Sequence, residues 1–277
     1  MLKHLWLLPF FAMVFTPSAH ALNDSQLCDI WTVKVVANWA EIEGDLMRWW
    51  DNNAIGRDQG LIAAASCRAM PNSPKTTIAV IAFNTTPEES YGDRSITEIV
   101  ALVEGDKVVA ANRLDYQEDG DNISGSYRID TARYILSKDV RAFGVVSHND
   151  ARTPCAIEGD TEDDLSLWVR KGENLHVIFE TYLSGWITID GSRCGNTDVR
   201  RTALANMTIG VEKTSSHGFA DLSITAHVTE LVERGIGTDD YSEVTEKYNI
   251  ARKVFKYNGQ SYVSDNNRWL WWHPKGW

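Results

Sequence analysis

From residue 75 onward the chain is written in short runs of β-branched and aromatic residues separated by turn residues. That texture limits the fold more than any other feature. Runs at 77–83, 96–103, 108–114, 123–129, 140–147 and 165–169 read as strands, as do 175–182, 186–189, 203–211, 219–231, 251–257 and 261–263. Gly105 and Asp106 join two of these runs as a tight hairpin. Asn258 and Gly259 turn the chain again, because Asn-Gly tolerates the positive φ angles such turns demand. Helical crossovers between the runs are absent from the pattern, which argues against a parallel α/β fold. The expectation is a mainly β, α+β protein: an antiparallel sandwich or a barrel-like sheet carrying an N-terminal helical hairpin.

The hairpin is read from residues 22–72. Leu27, Trp31, Val35, Trp39, Ile42, Leu46 and Trp49 or Trp50 recur at steps of three and four, the stripe of a one-sided helix over 24–50, with Asp24 or Ser25 as its cap. Residues 60–67 read as a second short helix ended by Pro71. The β-rich body then occupies 73–277, and the whole of 22–277 reads as one domain, with no repeat period and no low-complexity linker.

Residues 1–21 read as a secretory signal peptide. Lys3 gives a positive start, 5–15 form an apolar run, Pro17 breaks it, and Ala19 and Ala21 stand at the positions a signal peptidase reads. Export to the periplasm or beyond the cell follows, and with it an oxidising environment. Cys28, Cys67, Cys155 and Cys194 are an even set without metal-ligand spacing, so two disulfides are expected. Cys28–Cys67 and Cys155–Cys194 are the chosen pairs. An antiparallel helical hairpin would bring Cys28 beside Cys67.

Removing 1–21 from the 277 residues leaves 26 basic against 38 acidic side chains, a net of −12. Such a chain lacks the basic stripe that nucleic acid needs, and it has no second apolar run of spanning length. Neither nucleic-acid binding nor membrane insertion is expected.

Motifs for chemistry are scarce. The His residues form no HExxH pair, and Ser147, His148 and Asn149 are consecutive, so on a strand they cannot all face one point as a triad. No nucleotide-binding glycine loop is present. Asp115, Asp119 and Asp121 flank Gly120 with part of a calcium-loop spacing, but Gln117 and Ser126 stand where further carboxylates belong. A solvated turn is the first reading there, calcium the second. No cofactor and no metal centre are expected.

Aromatic side chains are the remaining signal. Trp269, Trp271, Trp272 and Trp277 crowd nine residues at the C-terminus. Trp joins a large apolar face to one polar N–H, so this group is expected to close the core on one side and present a recognition patch on the other. The function expected is that of a non-catalytic exported envelope protein binding another exported protein or a cell-wall saccharide. The alternative is an exported hydrolase with a carboxylate site, a chemistry that needs only two facing acids.

Overall fold

The computed structural model describes residues 26–43, 61–86, 94–119, 123–149, 157–194, 198–264 and 268–275. The signal segment 1–21 lies outside them. One helix, α1 (Ile30–Trp39), precedes twelve strands: β1 (Ile62–Met70), β2 (Ser73–Asn84), β3 (Ser95–Glu104), β4 (Lys107–Gln117), β5 (Ser124–Asp130) and β6 (Phe143–Asn149). Then come β7 (Gly159–Lys171), β8 (Asn174–Asp190), β9 (Val199–Ser216), β10 (Phe219–Arg234), β11 (Ser242–Tyr257) and β12 (Tyr262–Val263). The described part of the protein is mainly β, as its texture implied, and no helix in it is long and apolar enough to cross a membrane.

All strands join one mixed sheet that forks at β8. One edge of β8 pairs with β7 from Asn174 to Ile187. The other meets β9 over Ser184–Asp190, and meets β4 in the sheet's one parallel contact, at Ala111 and Asn174. From this fork run β1–β4 in one branch, β7–β6–β5 in a second, and β9–β12 in a third. The first two branches share a core of Ile78, Val80, Val100 and Leu102 against Ile129, Phe143, Val145 and Trp168. The opposite face of β7 and β8 packs Leu165, Leu167, Val169 and Ile178 against Ala205, Leu222, Ile224 and Ala226 of β9 and β10. β7 and β8 are therefore buried on both faces.

Gln26 ties the free ends of the first two branches. Its side-chain amide donates to the Ile129 carbonyl at 3.0 Å and accepts from the Ile129 N–H at 2.6 Å, as a strand neighbour would. It also accepts from Ser66 Oγ at 2.9 Å, while its own carbonyl receives the Cys67 N–H. The Cys28–Cys67 disulfide anchors this segment on β1. Cys194 is disulfide-bonded as well, and Cys155, its expected partner, lies outside the described residues. Such bonds fit an oxidising, extracytoplasmic setting.

Four expectations are corrected. The N-terminal helical hairpin is not shown: of residues 60–67, read as its second helix, those from 62 onward belong to strand β1, paired along β2. Their alanines favour helix, but the alternating burial of Ile62, Ala64 and Ser66 fits a sheet edge, and tertiary pairing overrides local preference. Cys28 still meets Cys67, by helix-to-strand contact. Secondly, α1 is capped by Asp29, whose carboxylate accepts from the Trp31 and Thr32 N–H groups at 3.0 Å. The candidate caps Asp24 and Ser25 lie outside the described residues.

Thirdly, the buried stripe of α1 is Val33, Val36, Ala37 and Ala40, while Leu27, Trp31 and Trp39 are exposed. Two stripes at helical spacing competed, and the smaller side chains let the helix lie closer to Ala79, Ile81 and Ile99 of the sheet. Fourthly, 175–182 and 186–189 are one continuous strand. Within it Gly185 pairs with Thr161 and Ala205, and a Cβ there would stand 3.1 Å from the Asp160 carbonyl oxygen.

Replacing Gln26 by Ala leaves the Ile129 N–H without its partner and should lower unfolding free energy by about 2 kcal/mol. Removing both Cys28 and Cys67 should cost about 4 kcal/mol from the 39-residue loop. Chemical denaturation of each variant measures both; unchanged midpoints would show that the branches close without these ties.

Candidate functional site

A cavity of about 900 Å³ opens between the first two branches. It is a continuation of their shared core, and the way the strands build it is simple. Side chains two apart on a strand share a face. On β3 that face runs Leu102, Val100, then Glu98; on β5 it runs Ile129, then Tyr127. On β6 Phe143 and Val145 give way to Ser147 and Asn149, and on β7 Trp168 gives way to Ser166 and Asp164. β8 changes from Leu175 and Val177 to Glu180 and Tyr182, and β4 from Ala110 to Asn112, Leu114 and Tyr116. On β3, β6, β7 and β8 the inward face turns from apolar to polar towards the same end, while β4 and β5 keep Leu114 and Gly125 there, with Ile123 beside β5. The apolar end packs solid and forms a floor. Nearer the mouth the face is mixed, and there the space stays open.

Glu98 sits in the wall and accepts a 2.5 Å hydrogen bond from the Tyr127 hydroxyl. Burial raises the Glu98 carboxyl above the ordinary glutamate range, and the Tyr127 bond only partly opposes it. Burial and the neighbouring Glu98 charge raise the Tyr127 phenol well above its usual value. Asp164 is raised too, first by burial and then by repulsion from Asp160, Asp163 and Glu180. Trp168 is buried in the floor, and its indole N–H donates to Ser166 Oγ at 2.7 Å. Tyr182, whose phenol burial pushes up to about 12, donates to the Trp269 carbonyl and so fixes the C-terminal segment at the rim. His148 lies at the rim beside Asp163, 3.1 Å away. Among the described residues, neither Lys nor Arg lines the cavity.

The residues singled out from the sequence scatter. Trp272 is buried in the core under β7 and β8, and Trp271 packs half-buried against it. Trp269 alone of the described tryptophans in that group faces the cavity, at 37% exposure; Trp277 lies outside the described residues. The ring of Trp186 is half-buried with the Arg193 guanidinium stacked 4.2 Å over it. Of the calcium candidates, Asp115 is engaged by Thr97 at 2.6 Å and Arg113 at 3.0 Å, Asp119 is exposed, and Asp121 lies outside the described residues. Among the described residues no three acids, His or Cys gather as a metal would require.

Glu98, Tyr127, Asp164 and Glu180 were not found from sequence. One signal pointed to Glu98: it is the single charge in the run 96–103. The other three became visible only once strands distant in sequence faced one another. Scans against protein-family models and searches of curated proteins and of solved structures return no match.

Because the folded state resists ionising Glu98, raising pH from the ordinary glutamate range up through its own higher value should cost stability. Glu98→Gln removes that contribution. Melting temperatures of both proteins between about pH 4 and 8 should diverge, the variant holding its value better as pH rises. Parallel curves would mean that Glu98 ionises freely.

Proposed function

We propose that this chain is a non-catalytic exported binding protein whose cavity takes a neutral, hydroxyl-rich ligand of the saccharide class. The carrying observation is the chemistry of the lining. Aromatic faces from Tyr116, Tyr127, Trp168, Tyr182 and Trp269 alternate with carboxylates, amides and hydroxyls, and among the described residues no Lys or Arg joins them. Sugar rings offer apolar C–H faces and many hydroxyl donors, which such a wall matches. An anionic ligand would meet Glu98, Asp164 and Glu180 without a compensating Lys or Arg. This places recognition in the cavity and leaves Trp269 as the contribution of the C-terminal aromatic group.

The signal-like residues 1–21 and the Cys28–Cys67 disulfide support a periplasmic or secreted location. In that setting the ligand is a cell-wall or surface saccharide, or the glycan of an exported partner. We read residues 22–277 as one domain, with the first two branches curled into a barrel-like chamber. Closure by Gln26 at one seam and by the β4–β8 contact at the other supports that reading.

A hydrolase is the second reading, favoured by one observation: Glu98 and Asp164, both held towards the protonated form, line the same cavity. A protonated carboxyl is what glycosidic cleavage needs for its leaving group.

Titration calorimetry with neutral N-acetylglucosamine oligomers separates the two. Binding without cleavage is expected, and Trp269→Ala should weaken it about tenfold with an unchanged melting temperature, since one ring face contributes on the order of 1–2 kcal/mol. Shortened oligomers, abolished by Glu98→Gln, would establish the hydrolase. No heat and no products would rule out both.

A further inference from the structure

The third branch ends in an edge open over most of its length. The inner edge of β11 pairs with β10 from Ser242 to Phe255. On the outer edge, among the described residues, only Lys256 and Tyr257 are paired, to β12. Residues 242–250 are exposed throughout. Tyr248, Ile250 and Val254 stand on one face of this strand at 78%, 66% and 40% exposure, opposite Thr229, His227 and Ser223 of β10. An exposed edge carrying apolar side chains is a template for another strand, and proteins that stay monomeric protect such edges.

The distribution of charge names the strand it fits. Glu243 and Glu246 lie in the N-terminal half of β11, and Arg252, Lys253 and Lys256 lie in the C-terminal half. We propose that the outer edge of β11 docks a second copy of this chain, the two strands pairing antiparallel about a twofold axis near Asn249. That arrangement sets the acidic half of each strand beside the basic half of the other. A parallel arrangement would set acid beside acid and base beside base. Around the axis, Tyr248 of one copy lies opposite Ile250 of the other, twice, and the two Asn249 side chains face each other.

The flanking charges are already held in place. Glu246 pairs with Arg201 at 3.1 Å, Arg252 with Glu212 at 2.5 Å, and Lys247, beside the axis, with Glu230 at 3.2 Å. Docking therefore extends an existing ion network across the new strand pair. The cavity lining includes no residue of β9, β10 or β11, so the dimer leaves the cavity mouth free and the proposal stands independently of the cavity's ligand.

Sedimentation velocity of the purified full chain from about 1 to 100 µM tests it, with a shift from one to two chain masses expected. Ile250→Lys and Tyr248→Lys should each weaken association at least about tenfold while leaving the melting temperature near that of the parent, because both side chains are exposed. Asn249→Cys should give a disulfide-linked dimer on mild oxidation, and Glu243→Cys should not, since position 243 lies far from its own copy across the axis. A chain monomeric up to 100 µM would overturn the proposal. So would a dimer indifferent to both edge substitutions, or one crosslinked through 243 and not 249.

Discussion

The structure depends on one strand pair, β7 with β8, that is buried on both faces. Leu167 and Val169 point into the core shared with β9 and β10, while Trp168 points into the core shared with β2 and β3. A bulge at Ile178 of β8, opposite the step from Leu167 to Trp168, turns both Ile178 and Phe179 into the core shared with β9 and β10, while Leu175 and Val177 serve the other. Each apolar side chain so buried contributes on the order of 1.5–3 kcal/mol, and here both sides of one ladder contribute. β8 is also the only strand that pairs with three others among the described residues, meeting β7, β9 and β4. Without it the first four strands would have no ladder to the rest of the sheet.

From that arrangement follows the cavity. The inward face of the first two branches begins as an apolar floor at Val100, Phe143 and Trp168 and ends in Glu98, Ser147 and Asp164. A side chain that is charged or hydroxylated keeps its hydration unless a partner replaces it, so the polar end resists collapse. Tyr127 supplies such a partner for Glu98, and Ser166 for Trp168. The result is space between walls held apart by strands whose lower halves are packed. A ligand entering there would find aromatic faces already fixed, which lowers the ordering cost of binding.

Much of this was legible in the residues, and the failures have physical causes. The Gly105–Asp106 hairpin and the β3 and β4 runs stood out because runs of β-branched residues and turn chemistry are local signals. The disulfide Cys28–Cys67 was chosen correctly from a hairpin that does not exist, since the contact needed only that residue 67 pass the start of α1. The orientation of α1 was missed because Trp31 outweighs Val33 in any hydrophobic count, whereas close approach to a sheet rewards the smaller side chain. The runs 175–182 and 186–189 were read apart because a sequence does not reveal that Leu270 and Trp272 return to cover Gly185 between them. The cavity was invisible for the same reason: Glu98 and Asp164 are 66 positions apart, and only the fork at β8 brings them into the lining of one cavity.

A crystal structure of the protein grown with neutral N-acetylglucosamine oligomers addresses the central claim most directly. The account requires sugar density between the two branches, one ring against Trp168 or Trp269 and its hydroxyls within hydrogen-bond distance of Glu98 or Asp164. Side chains collapsed into that space, or oligomers bound elsewhere with the space left to water, would contradict it.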